Sequence, residues 1–228
     1  MLFLVTDTSG RQGSVALARA QEHDRSDPEV IEVAPLAGGT FSAQLVPQIA
    51  ELLAKHGVAK ADIDAFIVVS GPGSFTGLRV GLAAVKALAE ILKKPIVSVS
   101  LLEVIATASH AQGKVAAVLD ASRGDVYFGL YEILGDSVQV LREQLLSRAE
   151  LLSLATESTV ATTEPTLAAM AHEANLSVAV VETPEAEMIT RLGLKKLKAG
   201  ETVSPEQLEA NYMRRSDAEA FVKPASSS

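Results

Sequence analysis

The stretch that decides the fold is VVSGPGSFTGLRVGLAAVKALAEIL, residues 68–92. Its β-branched start predicts the end of a buried strand. The glycines and proline at residues 71–73 predict a tight turn, because glycine tolerates positive φ and proline fixes φ. From Leu78 onward the spacing is helical, with a narrow charged sector and apolar residues on opposite sides. A helix that lies on one sheet needs an apolar stripe only a little over about 100° wide. We therefore predict that a second chain also covers this helix, through Phe75, Val80, Ala84, Ala87 and Ile91.

The turn that precedes this helix has three interpretations. A strand, a turn and a helix start form the context of a phosphate loop, in which backbone N–H groups attract anions. However, Gly77 is followed by Leu78 and not by the Lys-Ser/Thr pair of a P-loop. A nucleophile elbow is disfavoured because its pattern needs glycine where Pro72 stands. The third interpretation is structural, with Ser74 or Thr76 capping the helix. The structural or interface role fits these residues best, and the anion contact stays open.

Residues 70–79, SGPGSFTGLR, resemble the hallmark segment of the bacterial TsaB proteins, which are partner subunits in making threonylcarbamoyladenosine in tRNA. Three shorter pieces, one before and two after this segment, occur in the same order as in that family. LVTDTS at residues 4–9 resembles its opening strand and turn, DASRGDVY at residues 120–127 its middle motif, and NYMRR at residues 211–215 its closing segment. The resemblance therefore spans nearly the whole chain, with its weakest part between residues 146 and 204.

This resemblance implies the α/β fold of the actin/hexokinase/Hsp70 ATPase superfamily, with two similar lobes of which the second is reduced. It implies a non-catalytic subunit that binds and activates the catalytic TsaD subunit, which attaches a threonylcarbamoyl group to the adenosine beside the anticodon. The ATPase TsaE is implied as a further partner. A homodimer is expected when the chain is alone, and contact with tRNA is expected to be indirect. We expect no cofactor bound tightly by this chain alone, while ATP, ADP and Mg²⁺ stay open for the complex.

Composition narrows the class of protein. Hydrophobic residues make up 48% of the chain, whereas aromatic residues make up 4% and tryptophan is absent, so the core must be aliphatic. The chain has no cysteine, which excludes disulfides and thiolate metal sites and is compatible with a reducing cytoplasm. Asp7 interrupts the apolar start too early for a signal peptide. Lys86 and Glu90 interrupt residues 80–92, which argues against a membrane span. We expect a soluble, cytoplasmic protein.

The net charge limits the nucleic-acid interpretation. Lys and Arg number 20 against 28 Asp and Glu, which gives a formal charge of −8. A protein that grips tRNA by itself usually shows a basic face. The nearest basic cluster is Arg191, Lys195, Lys196 and Lys198 on a predicted helix, and such a run is usually a solvated face. We therefore expect little direct binding of tRNA by this chain.

Alternating strand and helix patterns continue through the chain. They predict a hairpin of strands 3–6 and 14–19, and further strands at 30–35, 64–70, 96–99, 115–119 and 126–133. Helices are predicted over 42–56 and 100–112, and Ser147 with Glu150 predicts a capping box. We expect an N-terminal lobe in residues 1–100 that contains the interface helix, a smaller lobe in residues 101–223, and a frayed tail in residues 224–228.

In the superfamily implied by the resemblance, the turn after the first strand carries an acid and hydroxyls that meet Mg²⁺ and phosphate. Asp7, Thr8 and Ser9 occupy that place here. Carboxylate and hydroxyl oxygens suit Mg²⁺ and phosphate, yet the same residue types suit any tight turn. With the glycine-rich turn they give the candidate phosphate or nucleotide contacts, which are Asp7, Thr8, Ser9, Gly71, Gly73 and Ser74.

A second polar group stands around Asp120, Arg123 and Tyr127. An aspartate that ends an apolar strand beside an arginine suits an acid/base or phosphate-clamp pair. The plainer interpretation, which we favour, is a hydrogen-bonded turn in which Arg123 pairs with Asp120. Tyr212 and Arg214 form a third group, whose role is either docking on the body of the fold or contact with a partner or anionic ligand.

The histidines predict no metal site. His23, His56, His110 and His172 are scattered, without a pair at helical spacing, and we predict no catalytic residue. TsaD proteins carry an HxxxH pair that holds a metal, and TsaB relatives often begin the helix before the hallmark strand with His-Ser. This chain has Phe41 in place of that histidine. We expect Phe41 to be a hydrophobic staple that packs toward Val46.

Two other classes of function stay open. A small ATP-dependent kinase or hydrolase would use Asp7 and Asp120, and tight ATP binding with turnover would identify it. A plain homodimeric scaffold would need only the apolar helix.

Overall fold

The computed structural model describes residues 1–21 and 27–213. Its first half consists of β1 (Leu2–Asp7), β2 (Gly13–Arg19), β3 (Glu29–Leu36), α1 (Phe41–Lys55), β4 (Ala65–Gly71), α2 (Phe75–Leu92), β5 (Ile96–Ser100) and α3 (Leu101–Ala108), with a 3₁₀ turn at Lys60–Asp62. Its second half consists of β6 (Gly113–Asp120), β7 (Asp125–Leu134), β8 (Ser137–Ser147), α4 (Arg148–Leu154), β9 (Thr159–Thr162), α5 (Pro165–Glu173), β10 (Ser177–Val180) and α6 (Ala186–Lys198).

The two halves have the same topology. The strands of the first sheet run in the order β3-β2-β1-β4-β5, and those of the second run in the order β8-β7-β6-β9-β10. In each sheet the first three strands pair antiparallel, and the last two join in parallel, as crossover helices require. Each half therefore follows the pattern βββαβαβα, although no repeat is visible in the sequence.

Each sheet is covered on both faces. On one face of the first sheet, Leu4 and Phe66 pack with α1 and α2, whose buried side chains include Leu45, Leu82 and Val85. The opposite face packs against α6 through a set that includes Phe3, Val5, Ile67, Ile189 and Leu192. The second sheet packs α4 and α5 on one face. Its other face packs α3 through Leu102 and Ile105.

The last helix of each half thus covers the sheet of the other half. Helix α3 contacts β6 and β7, while α6 contacts β1 and β5. A side chain at Gly193 of α6 would come within 2.6 Å of Ile67, so α6 lies close to the centre of the first sheet. The predicted boundary between the lobes, at residue 100, falls between β5 and α3. It assigns α3 and α6 to the second lobe, although α6 packs on the sheet of the first.

Most predicted elements are present with shifted ends, and the capping box of Ser147 and Glu150 is confirmed. The helix predicted over residues 100–112 ends earlier, at Ala108, where Ser109 caps it and His110 takes a φ of 53°. Strand β8 was not predicted. Within the described ranges, none of the helices combines the length and apolar character needed to span a bilayer. His23, Arg214 and residues 224–228 lie outside the described residues.

Candidate functional site

The glycine-rich turn joins β4 to α2, and its serine builds the start of the helix. Ser74 is the N-cap, and its Oγ accepts a hydrogen bond from the Gly77 N–H at 3.2 Å. The structural interpretation of Ser74 is therefore confirmed. The Ser74 N–H donates to the backbone oxygen of Ser9 at 2.7 Å, which ties this turn to the turn after β1. The N–H groups of Ser74 and Gly77, which a bound anion could otherwise use, are therefore already engaged.

The turn after β1 is packed tightly beneath the start of α2. The Ser9 N–H and Oγ both donate to Oδ1 of Asp7, at 2.8 and 2.6 Å. Burial raises the pKa of Asp7, although these two hydrogen bonds act in the opposite direction. A methyl group at Gly77 would overlap the backbone oxygen of Thr8, so only glycine allows this approach. Asp7 and the Ser9 hydroxyl of the turn therefore bond to each other.

A cleft of about 710 Å³ separates this junction from the second half. Of the six candidate phosphate contacts, Ser9, Gly73 and Ser74 line it together with Arg11. Asp7, Thr8 and Gly71 are not part of its lining. Asp7 and the buried Thr8 hydroxyl thus lie outside the cleft wall, where a Mg²⁺–phosphate group in the cleft would need them.

The second half contributes Asp120, Ser122, Tyr127 and Glu164 to the cleft. Asp120 forms an ion pair with Arg148 at 3.3 Å, and its Oδ2 accepts the Ser122 N–H at 3.2 Å. The start of α4 therefore brings Arg148 to the Asp120 carboxylate, a partner that sequence analysis did not identify, while the pairing of Asp120 with Arg123 stays a prediction. The hydrogen-bonded turn itself is present.

Glu164 and Arg123 complete this turn. Oε1 of Glu164 accepts the Asp120 N–H at 2.8 Å. Residues 122–124 take φ values of 63°, 58° and 86°, a left-handed run that is costly for residues other than glycine. Arg123 is held in this run and does not line the cleft. No sequence motif identified Arg148 or Glu164 as neighbours of Asp120.

Phe41 lies at the edge of the same cleft. It is the first residue of α1, it is buried, and its ring lies where side chains at Gly13 and Gly77 would otherwise extend. Val46, its expected partner, is 61% exposed. The staple prediction was wrong, because the small residues of the two turns create a better apolar site for the ring.

The segment after α6 docks on the first half. Its Asn211 N–H donates to the backbone oxygen of Ser70 at 2.8 Å. The hydroxyl of Tyr212 accepts a hydrogen bond from Arg79 Nε at 3.0 Å, and the Tyr212 ring centroid lies 4.8 Å from that of Phe75. Of the two roles considered for Tyr212, docking on the body of the fold is present in the structure. Arg214 lies outside the described residues.

A carboxylate that sequence analysis missed fastens this segment to the second half. Glu143 of β8 accepts hydrogen bonds from Tyr131 Oη, from Asn211 Nδ2 and from Ser100 Oγ, the last at 2.5 Å. Its three donors come from parts of the chain that are far apart in sequence. Glu143 sits in an unpredicted edge strand, and no local pattern distinguishes it from the other glutamates.

The five side chains expected at a subunit interface all retain solvent-accessible surface. Ile91 is 76% exposed and Phe75 is 36% exposed. Ala87 is also exposed, whereas Val80 and Ala84 are half-buried. The last two pack in part on the core beneath α1 and α2. Of the five, Phe75, Ala87 and Ile91 are therefore the exposed side chains of α2.

The basic cluster on α6 is not a uniform solvated face. Lys196 is largely buried and forms ion pairs with Glu103 at 2.9 Å and with Glu201 at 3.2 Å. Arg191 pairs with Asp27 and Glu187, at 2.9 and 3.1 Å. Lys195 is exposed. Treating Lys196 as part of a solvated surface was therefore wrong, because its position on the helix points it toward α3.

Comparison with known proteins places this geometry in context. Residues 33–211 match the family model for TsaD, tRNA N6-adenosine threonylcarbamoyltransferase. The tRNA threonylcarbamoyladenosine biosynthesis protein TsaB of Bacillus subtilis is 29% identical, over 96% of this chain and 97% of its own length. TsaB of Escherichia coli is 26% identical, over 94% of this chain and 95% of its own length.

Solved structures agree with the sequence relatives. A Pseudomonas aeruginosa protein described as similar to the peptidase YeaZ superposes with a TM-score of 0.71 and 27% identity, covering 93% of this chain and 99% of its own. YeaZ from the same organism gives a TM-score of 0.68 and 25% identity, covering 92% and 99%. The duplicated sheets are thus those of an actin/hexokinase/Hsp70 ATPase-like fold, as the sequence resemblance implied.

Proposed function

Because the chain belongs to the TsaD family and, within it, to the TsaB proteins of tRNA threonylcarbamoyladenosine biosynthesis, we propose that it acts there as a non-catalytic subunit. In this proposal it binds a TsaD-type catalytic subunit through the glycine-rich turn and α2, and it activates that subunit by setting the geometry of its lobes. A TsaE-type ATPase is a further partner, and tRNA is bound by the complex and not by this chain alone.

The observation that carries the proposal is the apolar surface on α1 and α2, two helices that contact each other. Helix α1 exposes Val46, and α2 exposes Ala83, Ala87 and Ile91. An exposed apolar surface of this kind marks an interaction site, and each Å² removed from water contributes about 25 cal/mol. Small side chains let a facing pair of helices approach closely and form a four-helix bundle.

Relatedness to TsaD supports the choice of partner. A protein of the same family offers an equivalent pair of helices, so the two chains can meet around a pseudo-twofold axis, as the subunits of a symmetric dimer do. The same reasoning gives a homodimer when the catalytic subunit is absent. Binding at this surface activates the catalytic subunit only if it favours one of that subunit's conformations over another.

Two groups that an enzyme could use in the turns after β1 and β4 are engaged in the fold. Asp7 accepts both hydrogen bonds of Ser9, and the Ser74 hydroxyl caps α2. These contacts favour the subunit over the rival ATP-dependent kinase or hydrolase. In this proposal ATP, ADP or Mg²⁺ binds, if at all, to the complete complex, and no residue of this chain is assigned to hold it.

The decisive test is Ala87→Glu, which places a charge on the exposed centre of α2. Ala84 is less suitable because it is half-buried and its replacement would disturb the fold. We expect a folded monomer that neither self-associates nor activates a TsaD-type subunit. Ala174→Glu makes the same change at an exposed position of the second half and should leave both properties intact. Activation by the Ala87→Glu variant at the wild-type level would refute the proposed surface.

A further inference from the structure

Arg79 is held in one orientation at the exposed start of α2. Its Cζ lies 3.6 Å from the centroid of the Phe75 ring and 5.7 Å from that of Tyr212. Its Nε–H donates to the Tyr212 hydroxyl at 3.0 Å. A guanidinium that stacks on aromatic rings in this way has lost most of its rotamer freedom before any partner arrives. Binding through it therefore costs less ordering entropy than binding through a mobile side chain.

The support for this arrangement reaches into the second half. Tyr212 follows Asn211, whose backbone is bound to Ser70 and whose side chain is bound to Glu143. Contacts with both halves thus fix the segment that carries the Tyr212 ring. Because Arg79 donates to the Tyr212 hydroxyl, they also restrict the Arg79 side chain.

The guanidinium keeps unused binding capacity. Its Nε–H is taken by Tyr212, while the two terminal nitrogens are a pair that can bind a carboxylate end-on in a bidentate manner. No carboxylate in residues 1–21 or 27–213 forms an ion pair with Arg79. Arg79 thus has no acidic partner within these ranges, although acidic residues outnumber basic ones in the chain and give it a net charge of −8.

Beside Arg79, a depression of about 310 Å³ separates α2 from the C-terminal segment. Four of its lining residues are apolar, two are cationic, one is acidic and one is a tyrosine: Leu82, Ala83, Leu208, Ala210, Arg79, Lys86, Glu209 and Tyr212. Apolar walls suit the methylene stem of a glutamate, and the two cations suit its carboxylate. A phosphate group has no apolar stem to place there.

We infer that Arg79, ordered by Phe75 and the C-terminal segment, is an anchor of the subunit interface and binds a carboxylate side chain of the TsaD-type partner. This inference rests on the proposed function. It extends the α2 surface from Ala83 to Tyr212 and gives the closing Tyr-Met segment a role in recognition. Buried arginine and tyrosine contacts of this kind dominate the affinity of many interfaces.

The test measures the affinity of the full-length chain for the purified TsaD-type subunit by calorimetry at low and high salt. We expect Arg79→Ala to weaken binding by about tenfold to a hundredfold. Arg79→Lys keeps the charge but loses the planar fork, and Tyr212→Phe keeps the ring but loses the acceptor, so each should weaken binding several-fold. The variants should also lose part of the salt dependence shown by the wild type.

Arg142→Ala is the matched control, because it removes an exposed arginine from β8, in the other half. It should bind like the wild type. Equal affinity of wild type and Arg79→Ala overturns this inference and leaves the proposed function standing, as does an equal loss in the Arg142→Ala control. A loss confined to tRNA binding by the assembled complex would assign Arg79 to phosphate and also overturn it. If the wild type does not bind the subunit at all, the proposed function itself fails.

Discussion

Glu103 and Lys196 form a bidentate ion pair, with both Nζ–Oε distances at 2.9 Å, between the two topologically equivalent helices α3 and α6. Burial raises the pKa of Glu103, although Lys196 acts in the opposite direction. Burial lowers the pKa of Lys196, but the carboxylates of Glu103 and Glu201 outweigh this effect and raise it overall. The pair therefore joins the two halves where their last helices meet.

Removing one partner of this pair should be strongly destabilising. Lys196→Met leaves the buried Glu103 carboxylate without its cation, and breaking a buried pair in this way costs about 3–5 kcal/mol. Urea denaturation at pH 7 would measure the loss. The double variant Glu103→Leu/Lys196→Met should recover most of it. Lys195→Met, at the exposed neighbouring position, should change stability by no more than about 0.5 kcal/mol.

The same pair predicts a pH dependence. The folded pKa of Glu103 lies above its ordinary value of 4.5, so the folded chain holds more protons than the unfolded chain between these two values. The contribution of Glu103 to the unfolding free energy therefore falls as pH rises through that window. Lys196→Met should accordingly be less harmful near pH 4.5 than at pH 7. If Lys196→Met lowered the unfolding free energy equally at both pH values, the unpaired Glu103 carboxylate would not be the cause of the loss.

Gly81 should not tolerate alanine, although alanine favours helices by about 1 kcal/mol over glycine. A methyl group at Gly81 would overlap Oγ1 of Thr8, a buried hydroxyl that has no hydrogen-bond partner within the described ranges. Overpacking of this kind costs about 1–3 kcal/mol. Thermal unfolding of a double-mutant cycle with Thr8→Ala would measure it. A cost of Gly81→Ala that is unchanged in the Thr8→Ala background would mean that the clash lies elsewhere.

Tyr131 should resist deprotonation until the protein unfolds. Burial, together with the neighbouring Glu143 carboxylate, raises the pKa of this phenol far above its ordinary value of 10.0. The folded chain therefore retains a proton that the unfolded chain loses, and the unfolding free energy should fall as pH rises above 10. Tyr131→Phe removes this effect, so its loss of stability between pH 9 and pH 11, followed by circular dichroism, should be shallower than that of the wild type. Parallel curves would contradict the assignment.

The purified chain should be catalytically silent toward ATP. Asp7 is tied to Ser9 and is not part of the cleft lining, so it is poorly placed to hold Mg²⁺. Phosphate release should match the background and should be the same for Asp7→Ala and for the exposed control Asp136→Ala. Turnover that Asp7→Ala abolishes and Asp136→Ala preserves would revive the kinase or hydrolase interpretation.

Sequence analysis was most successful where local chemistry determines structure. The glycine-rich turn, the Ser74 cap and the capping box follow from residues close together in the chain, and each was confirmed. The family resemblance supplied the fold class, which periodicity alone reached only as an α/β alternation.

What could not be predicted depends on contacts between distant residues. The exchange of α3 and α6 between the sheets has no local signature. Arg148 meets Asp120, and Glu143 meets Asn211, only because the two halves pack together. Phe41 was misassigned because its pocket is created by Gly13 and Gly77, which lie on other elements.

The crossed placement of α6 also bears on the order of synthesis. When β1, β2, β4 and β5 have emerged from the ribosome, the face of their sheet that bears Phe3, Val5 and Ile67 still lacks its cover. That cover is α6, which ends at Lys198, near the close of the 228-residue chain. The first sheet made is therefore completed by a helix made much later, and a chain that stops at residue 185 leaves an apolar sheet face open to aggregation.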